Sequence, residues 1–137
     1  MSGTSIFVNL PVKDLDRSKK FFGALGYSFN EQFSDENAAC LVISDTIYAM
    51  LLVEPFFQTF TKKRIADASS TTEVLIGLSA DSREDVDRLA EAAFAAGGEP
   101  AGEPTDEGFM YGRSFQDPDG HVWELIWMDP SAIEGGS

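Results

Sequence analysis

Cysteine is nearly missing from this chain. Cys40 stands alone, which excludes an intramolecular disulfide framework and any cluster of thiolates around a metal. It lies in the apolar run 39–43, where a buried structural thiol is expected rather than a nucleophile. Histidine is as scarce, with His121 the single imidazole. Basic residues are few: ten Lys and Arg face 23 Asp and Glu, a net charge of −13. That balance argues against nucleic acid or an anionic membrane as partner and reads first as a solvated acidic surface. No apolar run approaches the roughly 18 residues of a membrane span, and the first residues carry no basic leader region. A cytoplasmic protein is the resulting expectation. Tryptophan and tyrosine are sparse, two and three, beside eleven phenylalanines, so rings of one kind line the core or a cavity. With 43% apolar residues over 137 positions, a single domain, 1–137, can bury a core.

Periodicity organises the chain. Residues 6–10 read as a short strand closed by Pro11. Asp14 then caps a helix to about Leu25, with Gly26 as a left-handed terminator. Leu15, Ser18, Phe22 and Leu25 form its buried stripe, widened by Phe21. Strands follow at 27–33, 38–43 and 46–54. The stretch 55–70 breaks the pattern. Its Phe56, Phe57 and Phe60 pack on the fold, cover a site or meet a partner, and Lys62, Lys63 and Arg64 read as a solvated face, with an anion clamp as the alternative. A strand at 72–80 leads to a helix opened by Ser82 and Asp85 and ended by Gly97 and Gly98, with Val86, Leu89, Ala90 and Ala93 inward. A short strand at 99–101 precedes strands at 109–115 and 121–128, and the tail 130–137 is expected to fray.

Strand, helix, three strands therefore occurs twice, an internal duplication. A shift of 71 residues carries Asp14 onto Asp85 and Gly26 onto Gly97, and sets Ile6 beside Gly77 at the same phase of the strand. The modules are taken as about 4–55 and about 71–129, joined by 56–70. The last two strands form a tight hairpin: Pro118 pre-sets a turn and Gly120 supplies a positive φ. Its second strand holds one carboxylate, Glu124, among large apolar residues. Burying it without a partner is costly.

These residues resemble the vicinal oxygen chelate superfamily, which includes glyoxalase I, bleomycin- and fosfomycin-resistance proteins and extradiol dioxygenases. The resemblance rests on 12–18 with Phe21, Phe22, Leu25, Gly26 and Tyr27, and on 115–121 with Glu124 and Leu125. It is nearest to bacterial proteins described as predicted lactoylglutathione lyases. It implies an α+β fold of two tandem βαβββ modules whose curved mixed sheets enclose a cleft, helices on the convex side, in a homodimer. Metal-dependent members ligate a divalent ion from the first strand, the end of the first module, the strand opening the second module, and a Glu in the last strand. Carried onto this chain, those positions are Phe7, Met50 or Leu52, Leu75 and Glu124. Only Glu124 suits a hard or borderline cation. No metal or other cofactor is therefore expected, with nickel, zinc, iron or manganese as the lesser alternative.

Strand alternation extends that reading. With Phe7 inward, Asn9 joins it, while Ile6, Val8 and Leu10 lie under the helix. With Leu75 inward, Glu73 and Gly77 join it; Tyr48, Met50, Leu52 and Glu54 share one face, and Val122, Glu124, Ile126 and Met128 another. The candidate ligand-binding residues are Phe7, Asn9, Tyr48, Met50, Glu73, Leu75, Tyr111 and Arg113, around Glu124. Glu124 is the candidate general base at a carbon acid, or the anchor of a cationic ligand. The structural alternative is a salt bridge to Arg113 across the hairpin. Glu73 is either a second cleft carboxylate or an exposed strand end, and His121, on the face opposite Glu124, has a surface or turn-bonding role. Two functions follow as expectations: a lyase or isomerase with Glu124 as base, and a metal-free binding protein of the bleomycin-resistance type. A domain acting through the 56–60 rings is a third.

Overall fold

The computed structural model of the chain describes residues 3–131, so the expectation for the tail falls, at 132–137, outside the described residues. The fold is α+β. The chain divides within the connecting segment into two compact units, Met1–Asp67 and Ala68–Ser137.

The first unit runs β1 (Ile6–Val12), α1 (Leu15–Ala24), β2 (Ser28–Asn30), β3 (Ala38–Val42) and β4 (Ile47–Val53). The sheet order is β1-β4-β3-β2, with β1 parallel to β4 and the other pairs antiparallel. The Asp14 carboxylate accepts the Arg17 N–H at 3.1 Å, the expected cap, and Gly26 ends the turn at φ 102°. Helix α1 packs on β3 and β4. Its Phe21 and Phe22 are buried edge to face, centroids 5.0 Å apart, over strands whose buried positions include Ala39 and Ala49. Each such ring contributes about 1.5–3 kcal/mol by leaving water.

Three local expectations change here. Pro11 does not close β1, which continues to Val12; β1 is an edge strand, where a missing N–H is tolerated. Residues Glu31–Phe33 leave the strand as a 3-10 turn, because the Asn30 side chain accepts the Gln32 N–H and caps it. Pro55 does not begin an irregular loop: it sits in the first turn of a short helix, α2 (Glu54–Phe57), where its missing N–H costs nothing.

The second unit runs β5 (Leu75–Ser79), α3 (Arg83–Ala95), β6 (Glu99–Pro100), β7 (Thr105–Asp106), β8 (Met110–Gln116) and β9 (Val122–Met128). The order is β5-β9-β8-β6, with β7 also on β8, so the edge strand is split in two. Again the first strand is parallel to the last. Ser82 caps α3 by accepting the Asp85 N–H at 3.1 Å. Helix α3 buries only small residues, Val86, Ala90 and Ala93. The large side chains come from the sheet, where Phe115 and Trp123 stack with centroids 6.4 Å apart.

Each unit is thus a βαβββ module, but the shift of 71 holds only at the helix ends (Gly26 to Gly97). The caps Asp14 and Ser82 are 68 apart (14 to 82), because α3 is three residues longer than α1, 13 against 10. The first strand of each unit follows the shift of 68. Leu10 and Val12 are buried, and so, partly, are Ile76 and Leu78, whereas Phe7 and Leu75 are exposed. Gly77 therefore matches Asn9, not Ile6.

Candidate functional site

The hairpin that carries Glu124 is held by a buried acid. Asp117, 5% exposed, accepts the N–H of Asp119 at 2.9 Å and of His121 at 3.0 Å, and the Trp123 indole N–H at 3.0 Å. Burial pushes its carboxyl above the ordinary value, opposed by the charge of His121 and by these donors. Gly120 turns the chain at φ 93°, and a Cβ there would lie 2.7 Å from the Ala68 carbonyl oxygen. Only glycine fits. His121 is buried, not on the surface, and bonds the turn through its backbone.

This turn fixes the register. Ser114 stands opposite Glu124 across β8–β9, and Gly77 stands opposite it on the other side across β5–β9. Alternation then puts Val122, Glu124 and Ile126 on one face and buries Trp123 and Leu125 on the other. Glu124 is half-buried, in a row between Gly77 and Ser114, with Val122 and Ile126 before and after it. A Cβ built on Gly77 would lie 3.9 Å from Glu124 Oε1 and 3.8 Å from Ile126 Cδ1. The carboxylate therefore leans toward β5, over bare backbone. Among the described residues it has neither a hydrogen-bond nor an ion-pair partner.

Tyr111 and Arg113, expected beside Glu124, are on the opposite face. The pair Ser114–Glu124 sets even numbers of β8 with Glu124, and odd numbers with α3. The Tyr111 hydroxyl donates to Asp87 Oδ1 at 2.6 Å. The Arg113 guanidinium binds Asp87 at 3.0 Å and Glu91 at 2.8 Å, and lies over the Phe94 ring. Arg113 is thus spent on the helix, and a salt bridge to Glu124 does not form. Tyr111 holds the Asp87 carboxyl below, and Asp87 holds the phenol above, their ordinary values.

The other candidates are placed as follows. Phe7 is 55% exposed and stacks on Tyr48, its neighbour across β1–β4, at 4.8 Å and 11°. The Tyr48 hydroxyl is already used, donating to the Asp45 carbonyl at 2.8 Å. Asn9, exposed, pairs with Met50, and Met50 pairs with Cys40. Leu75 is 56% exposed at the start of β5, and Glu73 lies in an exposed bend before it, outside the strand. Phe56 meets Phe60 edge to face at 5.2 Å while Phe60 stays 65% exposed, and Lys62, Lys63 and Arg64 are exposed. Cys40 is buried, and burial pushes its thiol up.

The residues do not fit the divalent ion that the resemblance implies. Phe7, Met50 and Leu75 offer a ring, a thioether and a hydrocarbon where oxygen or nitrogen is needed. Among the described residues no group of three or more His, Cys, Asp or Glu is gathered. A surface groove of about 370 Å³ at the start of α1, edged by Lys13, Asp16, Lys19, Asp35 and Glu36, includes none of the candidates. Among the described residues no helix is long and apolar enough to cross a membrane.

Comparison with known proteins gives a consistent picture. Residues 4–44 match a family described as bleomycin resistance protein-like N-terminal. A hypothetical protein from S. aureus is 30% identical, with TM-score 0.76 over 93% of this chain and 95% of that one. A glyoxalase-related enzyme from Fulvimarina pelagi, 19% identical, has TM-score 0.76 over 93% and 88%. A fosfomycin resistance protein from Mesorhizobium loti, 18% identical, has TM-score 0.67 over 98% of both chains. The last two likenesses are of fold. No curated protein sequence matches.

Proposed function

As this chain belongs to the vicinal oxygen chelate superfamily, we propose that it binds a small organic molecule without a metal, in the manner of the bleomycin-resistance type. Glu124 is the polar anchor. The observation that carries this reading is a half-buried carboxylate with no partner among the described residues, in a row with Gly77 and Ser114 and next to Val122 and Ile126. Ligand sites are commonly apolar surfaces with few polar groups. Phe7, Met50 and Leu75 at the ligand positions support the metal-free form. The protein acts, in this reading, as a homodimer in the cytoplasm.

The second reading is a lyase or isomerase in which Glu124 removes a proton from carbon. An unpaired carboxylate flanked by hydrocarbon supports it, since nothing holds the proton-accepting oxygen. Glyoxalase-type chemistry needs an ion to stabilise the enediolate, and the donor set here does not suit one. One experiment separates the two. Purified protein is assayed for nickel, zinc, iron and manganese, before and after reconstitution, and for hemithioacetal isomerisation, beside a thermal-shift screen of small molecules. The binder predicts neither metal nor turnover and at least one Glu124-dependent shift. Stoichiometric metal with turnover overturns it.

A further inference from the structure

The second unit matches its partly buried charges with care, Glu124 excepted. Arg83 grips Asp106 with two bonds, 2.8 and 3.0 Å. Asp87 and Arg113 hold each other, Asp117 is bonded by three N–H groups, and Asp129 accepts from Ser131. A half-buried carboxylate left out of such a scheme keeps a desolvation cost that a cation can offset. What stands beside it decides which cation.

On the β5 side of Glu124 there is no side chain at all. Gly77 has no positive φ and no strained contact: its virtual Cβ meets only Glu124 Oε1 and Ile126 Cδ1, at ordinary van der Waals distances. Neither turn geometry nor crowding therefore requires glycine here, and the weaker strand propensity of glycine is a cost without a structural return. The effect of its missing side chain is room directly beside Oε1. On the β8 side, Ser114 keeps the row low and adds a hydroxyl, and the Val122 and Ile126 positions that bracket the row are hydrocarbon.

We propose that the row Gly77, Glu124 and Ser114 is an ammonium subsite, and that Gly77 sets its selectivity by admitting a compact cationic head attached to an apolar chain. The claim rests on the metal-free binding reading and names its ligand class. A primary ammonium has three donors on a small volume and reaches Oε1 over the glycine, while its carbon chain lies along Val122 or Ile126. The net charge of −13 raises the local concentration of such cations.

Full-length protein is titrated with n-hexylammonium and, separately, with uncharged 1-hexanol, following the backbone amide signals of Gly77 and Glu124 by NMR. Hexylammonium is expected to saturate and hexanol to bind at least tenfold more weakly. Glu124→Gln and Gly77→Val are each expected to weaken hexylammonium at least tenfold, and Gly77→Ala severalfold, since its methyl group fills the space beside Oε1. Gly23→Ala, where a Cβ meets nothing within 4 Å, should bind as the parent. Gly77→Ala introduces no clash, so it keeps the test valid should the valine variant misfold. No saturable hexylammonium shift, or equal affinity for hexanol, overturns the ammonium class. Parent-like affinity in Gly77→Ala overturns the role of Gly77. Either failure is separate from failure of the binding reading, which falls with stoichiometric metal and turnover, with metal-dependent binding, or with no Glu124-dependent ligand in the thermal-shift screen.

Discussion

Equivalent rows of the two sheets hold different chemistry. In the first unit the row across β1, β4 and β3 is Asn9, Met50 and Cys40; in the second, across β5, β9 and β8, it is Gly77, Glu124 and Ser114. Polar side chains have moved from the edge of the row to its centre. Cys40 and Ser114 are near-isosteres, so the change that matters is Met50 against Glu124, with Asn9 against Gly77 beside it. A flexible thioether fills irregular space; a carboxylate over a glycine leaves space and a charge.

The helix-facing sides differ in a complementary way. In the first unit the helix brings the bulk, Phe21 and Phe22, onto a sheet whose buried positions include Ala39 and Ala49. In the second the sheet brings it, Phe115 and Trp123, against a helix of Val86, Ala90 and Ala93. Total volume, not the location of the rings, is what close packing requires. The same topology is stabilised twice with the aromatic rings placed in opposite layers. The rows on the other face are then free to diverge.

The largest effects should come from breaking that packing. Phe22→Ala and Trp123→Ala are each expected to cost about 3–5 kcal/mol in urea unfolding, one ring from the helix layer and one from the sheet layer. A loss below about 1 kcal/mol in either would show that its layer is not packed as described. Next is a contrast between two turn acids. Asp117→Ala leaves three donors unanswered, two of them buried, and should cost about 3 kcal/mol. Asp35→Ala removes exposed or part-buried bonds to the Asn37 and Ala38 N–H groups and should cost about 1 kcal/mol or less.

Acid provides a third contrast. The Arg83 guanidinium, then the Gly108 N–H, hold the Asp106 carboxyl down to about 2, and the Tyr111 hydroxyl with Arg113 holds Asp87 below its ordinary value. A depressed carboxyl stabilises the fold above its unfolded value of 3.8 and loses that contribution as pH falls through the folded value. Hydrogen exchange should therefore show β7 and the segment beside it opening as pH falls from about 4 toward 2, and Arg83→Met should weaken the pH dependence there. Protection unchanged over that interval would contradict it. The smallest effect is on stability at the row itself. Glu124→Met, which copies the first unit's residue, should be neutral or stabilising by about 0.5 kcal/mol, while removing ligand binding.

Much of this was legible in the chain. Asp14 with Gly26 and Ser82 with Gly97 marked both helices, and 117–120 marked the hairpin turn, because caps and turns are local chemistry. The face of Glu124 followed from alternation. The faces of Tyr111 and Arg113 did not, since parity across a hairpin depends on which residues close the turn: Asp117 N–H donates to His121 O, and that is a tertiary outcome. Asp117 itself was missed, although an Asp at the first position of an Asp-Pro-Asp-Gly turn commonly bonds backbone N–H groups. It also accepts the Trp123 indole N–H, six residues on, a contact that only the folded hairpin makes. The short strand Thr105–Asp106 carries no strand-like periodicity; it pairs with β8 because Arg83 ties Asp106 to the start of α3.

The central claim is that Glu124 binds its ligand directly, without an ion. The most direct test is the affinity of the strongest thermal-shift ligand, measured by calorimetry before and after exhaustive treatment with a chelator, in the parent and in Glu124→Gln. The account predicts an affinity unchanged by the chelator and lost in the variant. Loss of binding on chelation, restored by nickel or zinc, would contradict it.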